Sequence, residues 1–251
     1  MDKAIIVDHL TCENQLNNVS FTIQKGEFVG VIGSGRDILL KAISGLIHPT
    51  SGFVSVLGYD PQLRSHDFLK QFAFLSKLSN VLLNDIPPID VLEVTKQIYG
   101  LTDREFNRNL SELTQFFKDP SILDVLVYKP KAIILDDPNF ELDSLYEYNK
   151  RSESTILFSA EKIDKLVNLV RRVIILDKNQ VVFDGAIDEL ITKFVTEKVI
   201  RAKLSFEVDA NLISEIGKVR KYVYPYINVS VPRSIVSLVA AEMMQNFPVV
   251  S

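Results

Sequence analysis

The feature that most constrains the fold is a succession of uniformly apolar runs, "KAIILD", "STILFS" and "RVIILD", separated by the amphipathic stretches "LDSLYEYNKR" and "EKIDKLVNLVRR". A strand that is apolar at every position is buried on both faces, and a helix between two such strands brings the chain back to start the next one in parallel. A mainly parallel α/β sheet with helices on both faces follows. The N-terminal part is patterned differently. "NVSFTIQ" alternates Val19, Phe21 and Ile23 as a half-buried strand does, and with "AIIVDHL" and "EFVGVIG" it predicts three strands, the last two joined by a hairpin at "QKGE". A helix is predicted over residues 36–46, with Ile38, Leu39, Ala42, Ile43 and Leu46 on one face, followed by a strand at "FVSVLG". Residues 64–128 read as mostly helical, most clearly in "PIDVLEVTKQIYG" and "REFNRNLSELTQFF". After "QVVFDG" and the helix "AIDELITKFV" the pattern changes to "KLSFEV", "NLISEIG", "KYVYPYINVSV" and "PRSIVSLVAAEMMQN", a strand, helix, strand, helix series. The organisation predicted is a main domain over 1–195 and a small α+β appendage over 196–251, with no internal repeat.

Composition narrows the function. With 251 residues, 47% of them hydrophobic, the chain can bury a large core. A net charge of −4, with 28 Lys and Arg scattered along the chain, gives no basic field for nucleic acid. His9, His48 and His66 stand singly, so a histidine metal site is not expected. The single Cys12 can form no internal disulfide, and "MDKAIIVDHL" lacks the apolar core of a signal peptide. The longest apolar stretch, "SIVSLVAAEMM", falls short of the roughly 18 residues that span a bilayer. These readings predict a cytoplasmic protein that reaches a membrane only through a partner.

The segment "VIGSGRDILLKAISG" has an apolar strand, then glycines, then the immediate start of an amphipathic helix. That layout holds anions at a helix N-terminus, and two glycines also suit a plain tight turn. Taken with "LNNVSFTIQKGEFVGVIG", "LLKAISGLIHPTSGFVSVLGYDP", "KPKAIILDDPNFELDSL", "TILFSA" and "RRVIILDKNQVVFDGAIDEL" in order, it resembles the ATP-binding cassette subunit of an ABC transporter over about residues 3–195. The resemblance implies a RecA-like P-loop NTPase-type core, an antiparallel β lobe, and a helical lobe, here shortened, over about 78–128. The appendage is similar to those of ABC-2 drug- and peptide-export cassettes.

Against that family's pattern the active-site positions depart together. The phosphate loop is Gly33, Ser34, Gly35, Arg36 and Asp37, with Arg36 where the family has lysine and Asp37 where it has the magnesium-binding hydroxyl. Arginine forks differently from lysine. A carboxylate 4 Å from a phosphate charge costs on the order of 4 kcal/mol at a dielectric near 20. The loop "TCENQ" offers no aromatic for adenine, Lys77 stands at the glutamine position, and no LSGGQ-like signature precedes the acidic motif. Asp136 keeps the strand aspartate, Asp137 replaces the catalytic glutamate and Glu161 the switch histidine. The resemblance therefore implies vestigial catalytic positions, a cassette that has lost the family's ATP hydrolysis, and no cofactor, with ATP and magnesium bound weakly if at all. Asp37 and Asp136 remain a weak metal possibility. The favoured alternative for Arg36, Asp37, Asp136 and Asp137 is a salt-bridge cluster closing a disused pocket. The tyrosines of "VYPYINVSV" form either a contact surface or the packing face of an edge strand.

Cassettes of this family work as head-to-tail dimers, so a chain lacking both loop and signature completes no site with itself or with an intact ATPase partner. Three functions stay open: a silent structural or regulatory subunit of a membrane export complex, a slow ATPase, and a scaffold that has left transport. The expected partner is an integral membrane transporter subunit, with an intact ABC ATPase or a second copy as further possibilities and nucleic acid not expected.

Overall fold

The computed structural model describes residues 2–13, 15–76, 87–136, 142–167, 169–194 and 197–250. The chain packs as two compact units, Met1–Ile187 and Asp188–Ser251.

In the first unit the strands are β1 (Lys3–Cys12), β2 (Leu16–Gln24), β3 (Phe28–Gly33), β4 (Ser51–Val56), β5 (Phe72–Ser76), β6 (Ala132–Asp136), β7 (Thr155–Ser159), β8 (Arg172–Asp177) and β9 (Gln180–Ala186). Its helices are α1 (Arg36–Ile43), α2 (His66–Leu69), α3 (Pro88–Ile98), α4 (Asp103–Leu113), α5 (Pro120–Leu126) and α6 (Leu142–Ser152). β2, β1 and β4 form an antiparallel sheet in that order. The second sheet runs β5-β6-β7-β3-β8-β9, parallel from β5 to β8, with β9 antiparallel at its edge. This is the mixed α/β architecture of a P-loop NTPase core beside an antiparallel lobe.

The two sheets share one core, with α1 between them. Leu39, Leu40 and Ile43 of α1 are fully buried among Ile5, Leu10 and Ile23 of the antiparallel sheet and Val31, Ile134 and Leu157 of the parallel one. At about 1.5–3 kcal/mol for each large apolar side chain buried, α1 is pinned by packing far more than by its short length. It stops at Ile43 rather than 46, because Gly45 turns left-handed at φ 69° and Leu46 is 51% exposed.

Four sequence expectations are corrected. β2 and β3 form no hairpin, since each joins a different sheet. The apolar run of β3 is buried on both faces between β7 and β8, whereas β2 alternates. The largely helical stretch contains β5, which pairs with β6 from Phe72 to Ser76. "EKIDKLVNLVRR" makes only a 3-10 turn at Ile163–Lys165 and irregular turns, where Leu166 packs onto the bare backbone of Gly30. A regular helix would not place Leu166 there across so short a connection.

The fourth correction lies in the second unit, which holds α7 (Ile187–Phe194, starting at the division), β10 (Glu197–Lys203), α8 (Ala210–Ser214), β11 (Lys218–Val223), β12 (Tyr226–Pro232) and α9 (Val236–Asn246). "KYVYPYINVSV" is two strands, reversed at Tyr224 and Pro225, whose proline has no N–H for a ladder. The sheet order is β10-β12-β11, all antiparallel. Ala202, Leu204, Ile213, Ile227, Val229, Val231, Val239 and Met243 form a core of its own.

Candidate functional site

The loop from β3 to α1 sits at the carboxyl end of the parallel sheet, where open α/β sheets hold their ligands. Gly33 closes β3 at φ 105°, and a Cβ there would lie 1.8 Å from the Leu176 carbonyl oxygen of β8. Only glycine fits. Ser34 then donates its backbone N–H to that same Leu176 carbonyl, at 3.3 Å. A donor that a phosphate-cradling loop would aim at its anion is thereby used by the sheet. Gly35, at φ 82°, starts the helix without a side-chain cap. A Cβ on it would lie 2.9 Å from the Gln15 carbonyl oxygen and 3.1 Å from Leu16, so the β1–β2 turn crowds the loop from one side. Asn17 ties that turn to Asn179 of the β8–β9 turn through a 2.8 Å backbone bond.

Arg36 folds back, its Nη1 donating to the Gly33 carbonyl at 3.2 Å. Asp37 lies in the first turn of α1, where a carboxylate favours the helix dipole, and meets Lys41 one turn on at 3.7 Å. Its side chain is 53% exposed, so its repulsion of a phosphate is nearer the ~1 kcal/mol of a solvated pair than the larger figure for a half-buried one. Asp136 ends β6 and accepts from Ser159 Oγ at 2.8 Å. Of the expected salt-bridge cluster, Arg36, Asp37 and Asp136 each have a different partner, and Asp137 lies outside the described residues. The sheet order explains this, because β7 lies between β6 and β3 and its Ser159 takes the Asp136 carboxylate. Glu161 follows β7 on the exposed surface at the same end. Lys77 and Asp137 lie outside the described residues.

No group of three or more His, Cys, Asp or Glu side chains among the described residues could hold a metal ion. A cavity of about 720 Å³ opens at the other end of β3 and β8, lined by Phe28, Tyr146, Asn149, Lys150, Glu153 and Arg171 among others. Arg172 there bonds both Glu27 at 3.0 Å and Asp184 at 2.7 Å, and these carboxylates hold its guanidinium above the usual arginine range. The cavity belongs to the opposite edge of the sheet from the glycine loop.

The helical part of the first unit leaves Ile89, Val94 and Ile98 of α3 exposed at 63%, 55% and 67%. Behind them Thr95 Oγ1 donates to Asp124, and Tyr99 stacks on Tyr128 at 3.6 Å between ring centroids. No sequence pattern announced this polar junction, since its members are far apart in the chain and singly unremarkable.

Fold and loop position together define the class: a P-loop NTPase-type α/β fold. Residues 16–139 match the family described as ABC transporter. Among known proteins, the chain is similar to the ABC transporter ATP-binding protein NatA of Bacillus subtilis, 24% identical over 204 residues, covering 70% of this chain and 83% of that one. It is also similar to the zinc uptake system ATP-binding protein ZurA of Listeria innocua, 29% identical over 232 residues, covering 75% and 88%. The energy-coupling factor transporter ATP-binding protein EcfA2 of Thermotoga maritima is 28% identical over 209 residues, covering 71% and 78%. Among solved structures, an ATP-binding subunit of an ABC transporter superposes with a TM-score of 0.65 at 21% identity, covering 76% of this chain and 93% of that one. CbiO1 of Clostridium perfringens, part of the transporter complex cbiONQ, gives 0.61 at 18% identity, covering 77% and 92%. Among the described residues no helix is long and apolar enough to cross a membrane.

Proposed function

We propose that this chain is a non-hydrolytic ABC cassette, a structural or regulatory subunit of a membrane export complex that sits on the cytoplasmic face of an integral membrane subunit. The observation that supports it is the internal use of the loop: Ser34 N–H bonds Leu176, Arg36 bonds the Gly33 carbonyl, and no lysine is present to reach a phosphate. The loop then serves the fold and not a nucleotide. The membrane subunit would be held through the helical region, where Ile89, Val94 and Ile98 offer an apolar stripe to a partner.

A second reading, a weakly binding and slow ATPase, is favoured by one fact: the relatives above are named as ATP-binding proteins. Calorimetric titration with ATP and Mg²⁺, with an Arg36→Ala variant in parallel, separates the two. The silent subunit gives no saturable heat up to millimolar nucleotide. Heat that saturates below about 1 mM, equivalent to roughly −4 kcal/mol, and that disappears in the variant would establish the second reading instead.

A further inference from the structure

The outward face of the small sheet in the second unit carries a charge pattern that the fold does not use. The register places Lys203 opposite Tyr226 and Arg201 opposite Asn228 across β10 and β12. Across β12 and β11, Lys221 lies opposite Asn228 and Lys218 opposite Ser230. Because Ile200, Ala202, Ile227 and Val229 point into the core, these alternate positions point out. The result is a central Asn228 with a cation on each side, Arg201 and Lys221, while Tyr226 lies between Lys203 and Val223 and Ser230 between Val199 and Lys218. Arg201, Lys203, Lys218 and Lys221 form no ion pair among the described residues. The one carboxylate on this face, Glu197, is already engaged by Arg220 at 2.8 Å and by Ser230 at 2.5 Å, which pull its pKa below the usual carboxylate value.

Two neighbouring strands lie about 4.8 Å apart, so Arg201 and Lys221 stand about 10 Å from each other across Asn228. Like charges so placed repel, and on this face only Glu197, shared between Arg220 and Lys218, offsets part of that repulsion. An external polyanion would offset the rest. The ring of Tyr226 is 62% exposed at the end of this face where β12 begins, and Tyr224 at the adjoining turn is 48% exposed. An open ring beside Lys203, with Asn228 and its flanking Arg201 and Lys221 next along the strand, fits a flexible phosphate chain that carries flat rings. An anionic bilayer fits less well, since Asn228 and the Glu197 carboxylate would have to be desolvated, and of the aliphatic side chains on this face Val199 and Val223 alone are exposed. We infer that this face binds single-stranded nucleic acid, with Tyr226 stacking on a base and Arg201, Lys203, Lys218 and Lys221 holding phosphates. The net charge of −4 conceals it, because the four cations are scattered in sequence and meet only through strand register. The inference does not depend on the transport reading.

The test is fluorescence anisotropy of the full chain with labelled oligothymidylate and oligouridylate about 12 nucleotides long, at low salt and without ATP. Four phosphate contacts predict a slope of log affinity against log salt of about −2.8. The double variant Lys218→Gln/Lys221→Gln should lower that slope by about 1.4, and Arg201→Gln, on the other edge, by about 0.7. Tyr226→Ala should weaken binding roughly tenfold, while Tyr226→Phe keeps it. Arg36→Ala should leave it unchanged, which separates this face from the glycine loop. Absence of oligonucleotide binding, binding unaffected by the three substitutions at Lys218, Lys221 and Arg201, or stronger competition by phosphatidylserine vesicles or polyglutamate would overturn the inference.

Discussion

At the scale of single residues, close approach of backbone accounts for the glycines of the loop. Gly33 and Gly58 both have positive φ, 105° and 85°, yet a Cβ on Gly33 would meet Leu176 at 1.8 Å and one on Gly58 would meet nothing within 4 Å. Conformational strain alone costs about 1–2 kcal/mol per left-handed residue. Gly58→Ala should therefore lose about that much in urea unfolding without nucleotide. Gly33→Ala, which must also displace β8, should lose more than about 3 kcal/mol. Equal losses would mean that β8 yields and that the glycine is not fixed by packing. Arg36 and Asp37 show the limit of reading charges from sequence. Their partners turned out to be a backbone carbonyl and a lysine one helical turn away, neither of which a motif comparison can supply.

At the scale of elements, legibility followed burial. β6, β7 and β8 were readable because strands covered on both faces are mostly apolar, as "AIILD", "TILFS" and "RVIILD" are, and the buried Thr155 and Ser159 of β7 are hydrogen-bonded. β5 was not, because "FAFLS" is five residues long and embedded in a helical stretch. The hairpin between β2 and β3 failed for a related reason: a tight turn fixes a reversal of the chain but not which sheet the next strand joins. The junction of α3 and α5 carries a titratable consequence. Burial pushes the Asp124 carboxyl above its usual 3.8, with the Thr95 bond opposing it in part. The native state then holds a proton that the unfolded state has already released, so Asp124's contribution to stability declines as pH rises from 3.8 through the raised value. Asp124→Asn keeps an acceptor for Thr95 and removes the buried charge. It should raise the melting temperature at neutral pH, on the order of 2 °C, and remove that part of the acid-side pH dependence. A variant that melts lower at neutral pH would mean that the carboxylate is held charged by design.

At the scale of the whole molecule, two of the clusters of buried residues among the described residues differ in size. Two dozen, α1's own included, pack in the first unit from Ala4 to Leu176, and eight form the core of the second. A unit with so small a core buries a lower fraction of its surface, and it should melt first and by itself. Scanning calorimetry is expected to resolve two transitions, with Val229→Ala shifting only the lower and Leu157→Ala only the upper, each by the roughly 2–4 kcal/mol that a large-to-small core change costs. A single transition moved by both substitutions would mean that the two cores are one cooperative block. Separate melting would in turn locate the anion-binding face experimentally: oligonucleotide bound to β10, β11 and β12 stabilises only the unit that contains them, so it should raise the lower transition and leave the upper one in place. Nucleotide acting through the glycine loop would do the reverse, and the same scan would then report which of the two faces a given ligand occupies.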